Sequence, residues 1–210
     1  MLKRLMGVLL FGILLMAGAH ADSGFVEGKD YTLLSKPSPM VLGHQVVVQE
    51  FFWYGCPHCF HLLPFLDAWQ KKQPAWVRLE LVPAALTPLW QIDARAFYAA
   101  QARGVATKLH NVLFHSIHGD ESTNLVNDPQ AIARFYESHG AGPHFLDLMN
   151  SMVIFGKVNY AAEQARNDQI EGVPSLVIDG KYLVDYHAGE PERMLQVVDY
   201  LVHMEHALVH

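Results

Sequence analysis

The stretch Val46-Val47-Val48-Gln49-Glu50-Phe51-Phe52-Trp53-Tyr54-Gly55-Cys56-Pro57-His58-Cys59 decides the reading of this chain. Residues 46–52 are β-branched and aromatic, with Gly43 before and Gly55 after, which predicts a largely buried strand. Pro57 suits the first position of a helix, where its missing N–H would have no partner anyway, so Cys56 falls at the N-cap. The helix that follows carries Leu62, Leu66 and Trp69 at i, i+4 and i+7, a core-facing stripe, with Pro64 inside it where a kink is expected. Two cysteines three apart across the first helical turn bring their sulfurs within disulfide reach. Cys56 then meets unpaired backbone N–H groups and the positive end of the helix dipole, which together stabilise a thiolate, the reactive form of a cysteine. His58, in the same turn, would add to that stabilisation if protonated or donating a hydrogen bond.

Outward from this motif, Val77, Leu79 and Leu81 alternate with Arg78 and Glu80, which predicts a half-buried strand and completes a βαβ unit with parallel pairing. The next seventy or so residues read as helices without repeats. One opens at Thr87-Pro88 and runs through Ala102, a second ends near Gly119, and a third is capped by Asp128-Pro129 and ends near Gly140. A fourth follows Pro143, and a fifth spans about 159–169. Strand character returns at 175–178, and Asp179-Gly180 before 181–184 is a strong hairpin signal, since a type I′ turn needs positive φ at both central residues. Pro191 opens a last helix with Met194, Leu195, Val198, Leu201 and Val202 on one face. The fold class is α/β: βαβ, a helical insertion, then ββα. The expected units are 22–86 with 155–210 as one domain and 87–154 as an inserted all-helical subdomain.

Composition agrees with a folded, exported protein. Of 210 residues, 51% are hydrophobic and 17% charged, enough for a buried core. The net charge of −6 and the absence of a basic stripe argue against a nucleic-acid partner. Lys3 and Arg4, the uncharged run from Leu5 to Gly18 and the small-x-small Ala19-His20-Ala21 read as a signal peptide cleaved after Ala21. A membrane anchor is the alternative, but the run is shorter than the ~20 apolar residues a bilayer needs. Cleavage would leave 189 residues with a net charge of −8. The bacterial periplasm is the expected compartment.

With these residues in view the chain resembles the thioredoxin superfamily, and within it the DsbA family of periplasmic thiol:disulfide oxidoreductases. The resemblance rests on Glu50-Phe51-Phe52, Cys56-Pro57-His58-Cys59 and Gly172-Val173-Pro174 ahead of a strand, and its layout covers nearly all of 22–210. It implies a dithiol oxidase whose catalytic group is Cys56, Pro57, His58, Cys59 and Glu50. It further implies a cis-proline at Pro174 and substrate-binding backbone at Val173, which would pair with an extended peptide. No cofactor is implied beyond the redox-active Cys56–Cys59 disulfide. Implied partners are reduced, unfolded exported proteins and, for reoxidation, a membrane partner like the quinone-linked DsbB; a monomer is expected. In thioredoxins a tryptophan directly precedes the first cysteine and the intervening dipeptide is Gly-Pro. Here Gly55 precedes Cys56 and the tryptophan is Trp53, which favours the oxidase branch.

Other readings stay open. Glu50 shares strand parity with Val46, Val48 and Phe52, so it is either a buried proton acceptor for Cys59 or an ordinary carboxylate at a strand end. Pro174 could simply end a loop. His58 and His61 interleave with the cysteines, and His203, His206 and His210 lie near one helix face, where they read as a solvated polar face, and no second CxxC completes a metal site. Phe97, Tyr98, Phe135, Tyr136 and Phe155 sit at helical spacings and are expected in the core. The competing function is a thiol-dependent chaperone or metal-thiolate module in which the CxxC is a ligand or staple.

Overall fold

Strand β2 (Val46–Phe52) is fully buried, and the molecule is built around it. The structure, a computed structural model, describes residues 24–37, 45–119 and 125–209. The expected signal peptide, its cleavage site, Gly43 and His210 lie outside them. β2 pairs in parallel with β3 (Val77–Pro83), Val46 opposite Val77, and antiparallel with β4 (Ser175–Ile178), Glu50 opposite Leu176. β4 pairs with β5 (Tyr182–Val184), and β5 with a two-residue β1 (Thr32–Leu33), giving the order β1-β5-β4-β2-β3. The hairpin turn has φ of 50° at Asp179 and 64° at Gly180, as a type I′ turn requires.

Alternation along β2 sends its residues to two layers. Val46 and Val48 join Leu62, Leu66 and Trp69 of α1 (Pro57–Gln70) and Met194, Val198, Leu201 and Val202 of α7 (Pro191–Val209) on one face. Phe51 joins Ala161 and Ala165 of α6 (Met152–Asn167) on the other, and there Gln49 Oε1 accepts from Gln164 Nε2 at 2.9 Å. Between β3 and β4 the chain forms α2 (Pro88–Ala102), α3 (Ala106–His118), α4 (Pro129–Tyr136), α5 (Phe145–Met149) and α6. Helices α2–α6 enclose a third core that also contains Phe52, Tyr54, Cys56 and Cys59.

Several expectations shift. The fifth helix starts at Met152 rather than near 159, and so runs across position 155. The third ends at Tyr136, followed by a wider turn over 137–141 in which Gly140 takes a φ of 93°. Phe97, Phe135 and Tyr136 are buried and Tyr98 is half-buried. Phe155, expected in the core, is 39% exposed, because the first turn of α6, with Met152 and Val153, faces solvent; the Arg95 guanidinium sits 5.3 Å over its ring. Among the described residues no helix is long and apolar enough to cross a membrane.

Candidate active site

Cys56 caps α1 with extended backbone, φ −89° and ψ 114°, and Pro57 occupies the first helical position. Both cysteines are reduced and buried. The Cys59 backbone N–H donates to Cys56 Sγ at 3.2 Å, a bond available because a helix's first turn leaves its N–H groups without intrahelical partners. The Cys59 thiol hydrogen bond, together with the backbone N–H groups of Cys59 and His58, pulls the Cys56 thiol down to about 7 against the opposing effect of burial. His58 acts here through its backbone; its ring is exposed. Cys59 goes the other way: burial first, then its bond to Cys56 and the charges of Cys56 and Glu50, push it well above the ordinary thiol range. The pair is therefore asymmetric.

Val173 closes the site from the far side of the chain. Its peptide bond to Pro174 is cis, and its carbonyl accepts from the Cys56 thiol at 3.3 Å. That bond exists only while Cys56 is protonated, since a thiolate has no hydrogen to offer a carbonyl.

Glu50 is 1% exposed, and its Oε2 has no hydrogen-bond partner. Burial, reinforced by the charges of Asp67 and Cys56, pushes its carboxyl up to about 8, so it is protonated at neutral pH. Glu50 and His110 both line a groove of about 880 Å³ bounded by α1, α3, α6 and β3. Glu50 is thus a buried acid that feels the charge of Cys56.

Further residues around the motif escaped the sequence reading. Trp53 Nε1 donates to Asp93 Oδ2 at 2.7 Å, and its indole stacks on Trp90 at 4.8 Å. Asp93 is buried, which raises its carboxyl to about 6 against the lowering bonds from Asn127 and Trp53. The Tyr54 hydroxyl lies 3.1 Å from His110 Nδ1 and 3.5 Å from the Tyr136 hydroxyl, and burial pushes His110 down to about 3, so it is neutral. The signal for these was a polar residue on a helix's apolar face: Asp93 lies three, four and seven before Ala96, Phe97 and Ala100, and His110 lies three and four before Leu113 and Phe114. Among the described residues no group of three or more His, Cys, Asp or Glu side chains is arranged to hold a metal ion.

A buried dithiol with one acidic sulfur at a helix N-terminus, facing a cis-proline loop on a five-stranded sheet, defines a thioredoxin-fold thiol:disulfide oxidoreductase with helices inserted into the core fold. Comparison narrows the class. A model of the DSBA-like thioredoxin domain matches residues 47–197. The thiol:disulfide interchange protein DsbA of Pseudomonas aeruginosa is 36% identical, over 94% of this chain and 92% of that protein, and that of Azotobacter vinelandii is 36% identical over 98% of each. The crystal structure of Pseudomonas aeruginosa DsbA superposes with a TM-score of 0.80 at 34% identity, covering 89% of this chain and 97% of that one. The structure of DsbA from Xylella fastidiosa gives 0.81 at 35%, covering 87% and 98%. The chain belongs to the DsbA family.

Proposed function

We propose that the protein is an exported dithiol oxidase that donates its Cys56–Cys59 disulfide to reduced proteins. The observation that carries this reading is the asymmetry of the two thiols, Cys56 at about 7 and Cys59 far above the ordinary range. A substrate thiolate attacks Cys56 Sγ, the Cys56–Cys59 bond breaks, and its electron pair goes to Cys59, which takes a proton from the Glu50 carboxyl. A second substrate thiolate then attacks the substrate sulfur bound to Cys56 and expels Cys56 as a thiolate, leaving an oxidised substrate and a reduced protein. In the reduced protein Glu50 regains a proton from water, and in reoxidation it releases that proton to water before accepting the one Cys59 loses, so one proton leaves to solvent and the carboxyl ends protonated again. Val173 and Pro174 would receive the substrate as an extended segment.

The sign of the linkage gives a direct test. The thiolate's stabilisation of the reduced fold is fully present above the unfolded thiol value of 9.0 and is lost as pH falls through about 7. The disulfide form lacks this contribution, so the margin of reduced over oxidised protein in urea unfolding should widen from pH 6 to pH 9. The decisive measurement is thiolate absorbance near 240 nm against pH, with Cys59→Ser and Cys56→Ser variants to assign it. A Cys56 midpoint at or below about 7 supports the oxidase, each further unit below pH 7 raising the potential by roughly 30 mV. A midpoint near 8.5 overturns it and favours a binding module with the CxxC as staple.

The same reading assigns the redox centre to residues 22–86 and 155–210 and its helical cover to 87–154, although α6 begins at Met152. It places the mature protein in the periplasm as a monomer, reoxidised by a DsbB-like quinone-linked membrane partner. N-terminal sequencing of the exported protein tests cleavage after Ala21.

A further inference from the structure

The segment between β2 and α1 is held mainly by its side chains. The sheet ladder ends where Phe52 O accepts from the Ala84 N–H at 2.8 Å, and the chain then turns, the Cys56 N–H donating to Trp53 O at 3.0 Å. Tyr54 and Gly55 are the central residues of this turn, so the carbonyl of Tyr54 belongs to its middle peptide. That peptide is the one whose rotation converts a type I turn into type II, a conversion favoured by glycine at the third position. Gly55 is not among the residues with positive φ, so the turn is not of type II. Its side-chain anchors act on the rings rather than on the peptide itself: Asp93 holds the Trp53 indole, and His110 and Tyr136 hold the Tyr54 hydroxyl.

His118, at the end of α3, supplies the missing constraint. Its Nε2 lies 2.7 Å from Tyr54 O. A carbonyl only accepts, so Nε2 carries the hydrogen, and the bond survives whether or not Nδ1 is protonated. The same ring stacks on Phe60, the residue after Cys59, at 5.3 Å and 22°, and on Phe114 at 6.1 Å. One imidazole thus touches the chain two residues before Cys56 and one residue after Cys59. We propose that His118 is a positioning residue for the redox site, holding the Tyr54–Gly55 peptide in the orientation that keeps Cys56 Sγ under the helix N–H groups.

The thiol readout rests on the oxidase reading above, and a second readout does not. His118→Phe keeps the ring stack and removes the donor; His118→Gln keeps a donor and removes the ring. In the reduced protein His118→Phe should raise the Cys56 midpoint by about half a unit or more, roughly threefold in the thiolate-to-thiol ratio, and shift the Gly55 and Cys56 amide resonances. His118→Gln should restore both. A folded His118→Phe protein with unmoved amide resonances overturns the proposal whatever its thiols do. An ordinary Cys56 midpoint in the unsubstituted protein, with those resonances still moved by His118→Phe, leaves the positioning role supported and overturns the oxidase reading alone. If His118→Phe does not fold, His118→Gln decides: retained resonances support the donor's role, and displaced ones overturn it.

Discussion

At the residue scale the chemistry depends on which protonated form each group prefers. Glu50 binds its proton more tightly folded, at about 8, than unfolded, at about 4.5. Its contribution therefore favours folding below about 4.5 and is lost progressively as pH rises through about 8. Glu50→Gln should match the parent in urea unfolding at pH 4 and exceed it at pH 9 by on the order of a few kcal/mol; equal pH dependence of the two would show that the carboxyl is not held protonated. For Cys56 the largest lowering contribution is the Cys59 thiol. Cys59→Ala should move the Cys56 midpoint up by about a unit. His58→Ala retains the backbone N–H and should move it less; the reverse order at 240 nm would return the dominant role to the imidazole. Cys56, Pro57, His58 and Cys59 are legible together because they share one helical turn, whereas spacing alone left Glu50 open and the family resemblance placed it with them. Asp93, His110 and His118 reach the same loop from 40, 56 and 64 positions away, and only the fold brings them there.

At the element scale, features set by a few adjacent residues were readable and those set by distant packing were not. The proline-opened helices α1, α2, α4 and α7 and the Asp179-Gly180 hairpin are fixed locally. The start of α6 was missed although Ile154, Val158, Ala161 and Ala165 form a buried i, i+4, i+7, i+11 stripe, because the solvent-facing Met152 and Val153 and the helix-weakening Gly156 are interleaved with its first turn. β1 has two residues and exists only through its pairing with β5. Helix α4 is short and carries Tyr136, and its start depends on Asp128 Oδ1, which accepts from the Gln130 and Ala131 N–H groups at 3.0 and 2.8 Å. Asp128→Ala should cost about 1 kcal/mol in urea unfolding while leaving the Cys56 titration in place. A titration that moved with it would mean that the helix start is coupled to the redox site.

At the scale of the whole molecule the dithiol belongs to the core that α2–α6 build over the end of β2 at Phe52. The insertion therefore helps set the shape of the site as well as covering it. Among the described residues the sheet ends at β3, with no strand beside its outer edge. On that strand Arg78 pairs with Glu80, and Glu80 Oε2 accepts from Gln49 Nε2 at 3.1 Å. Open edges recruit other strands, and charges along them oppose such pairing. On the proposed function the protein meets reduced, unfolded chains, whose extended segments could add to that edge. Arg78→Val with Glu80→Val should leave the redox site intact yet make the protein self-associate, visible as rising light scattering with concentration; unchanged scattering would mean that the flanking helices already shield the edge. The ion pair on β3 would thus keep a catalyst that handles extended chains from joining their aggregates.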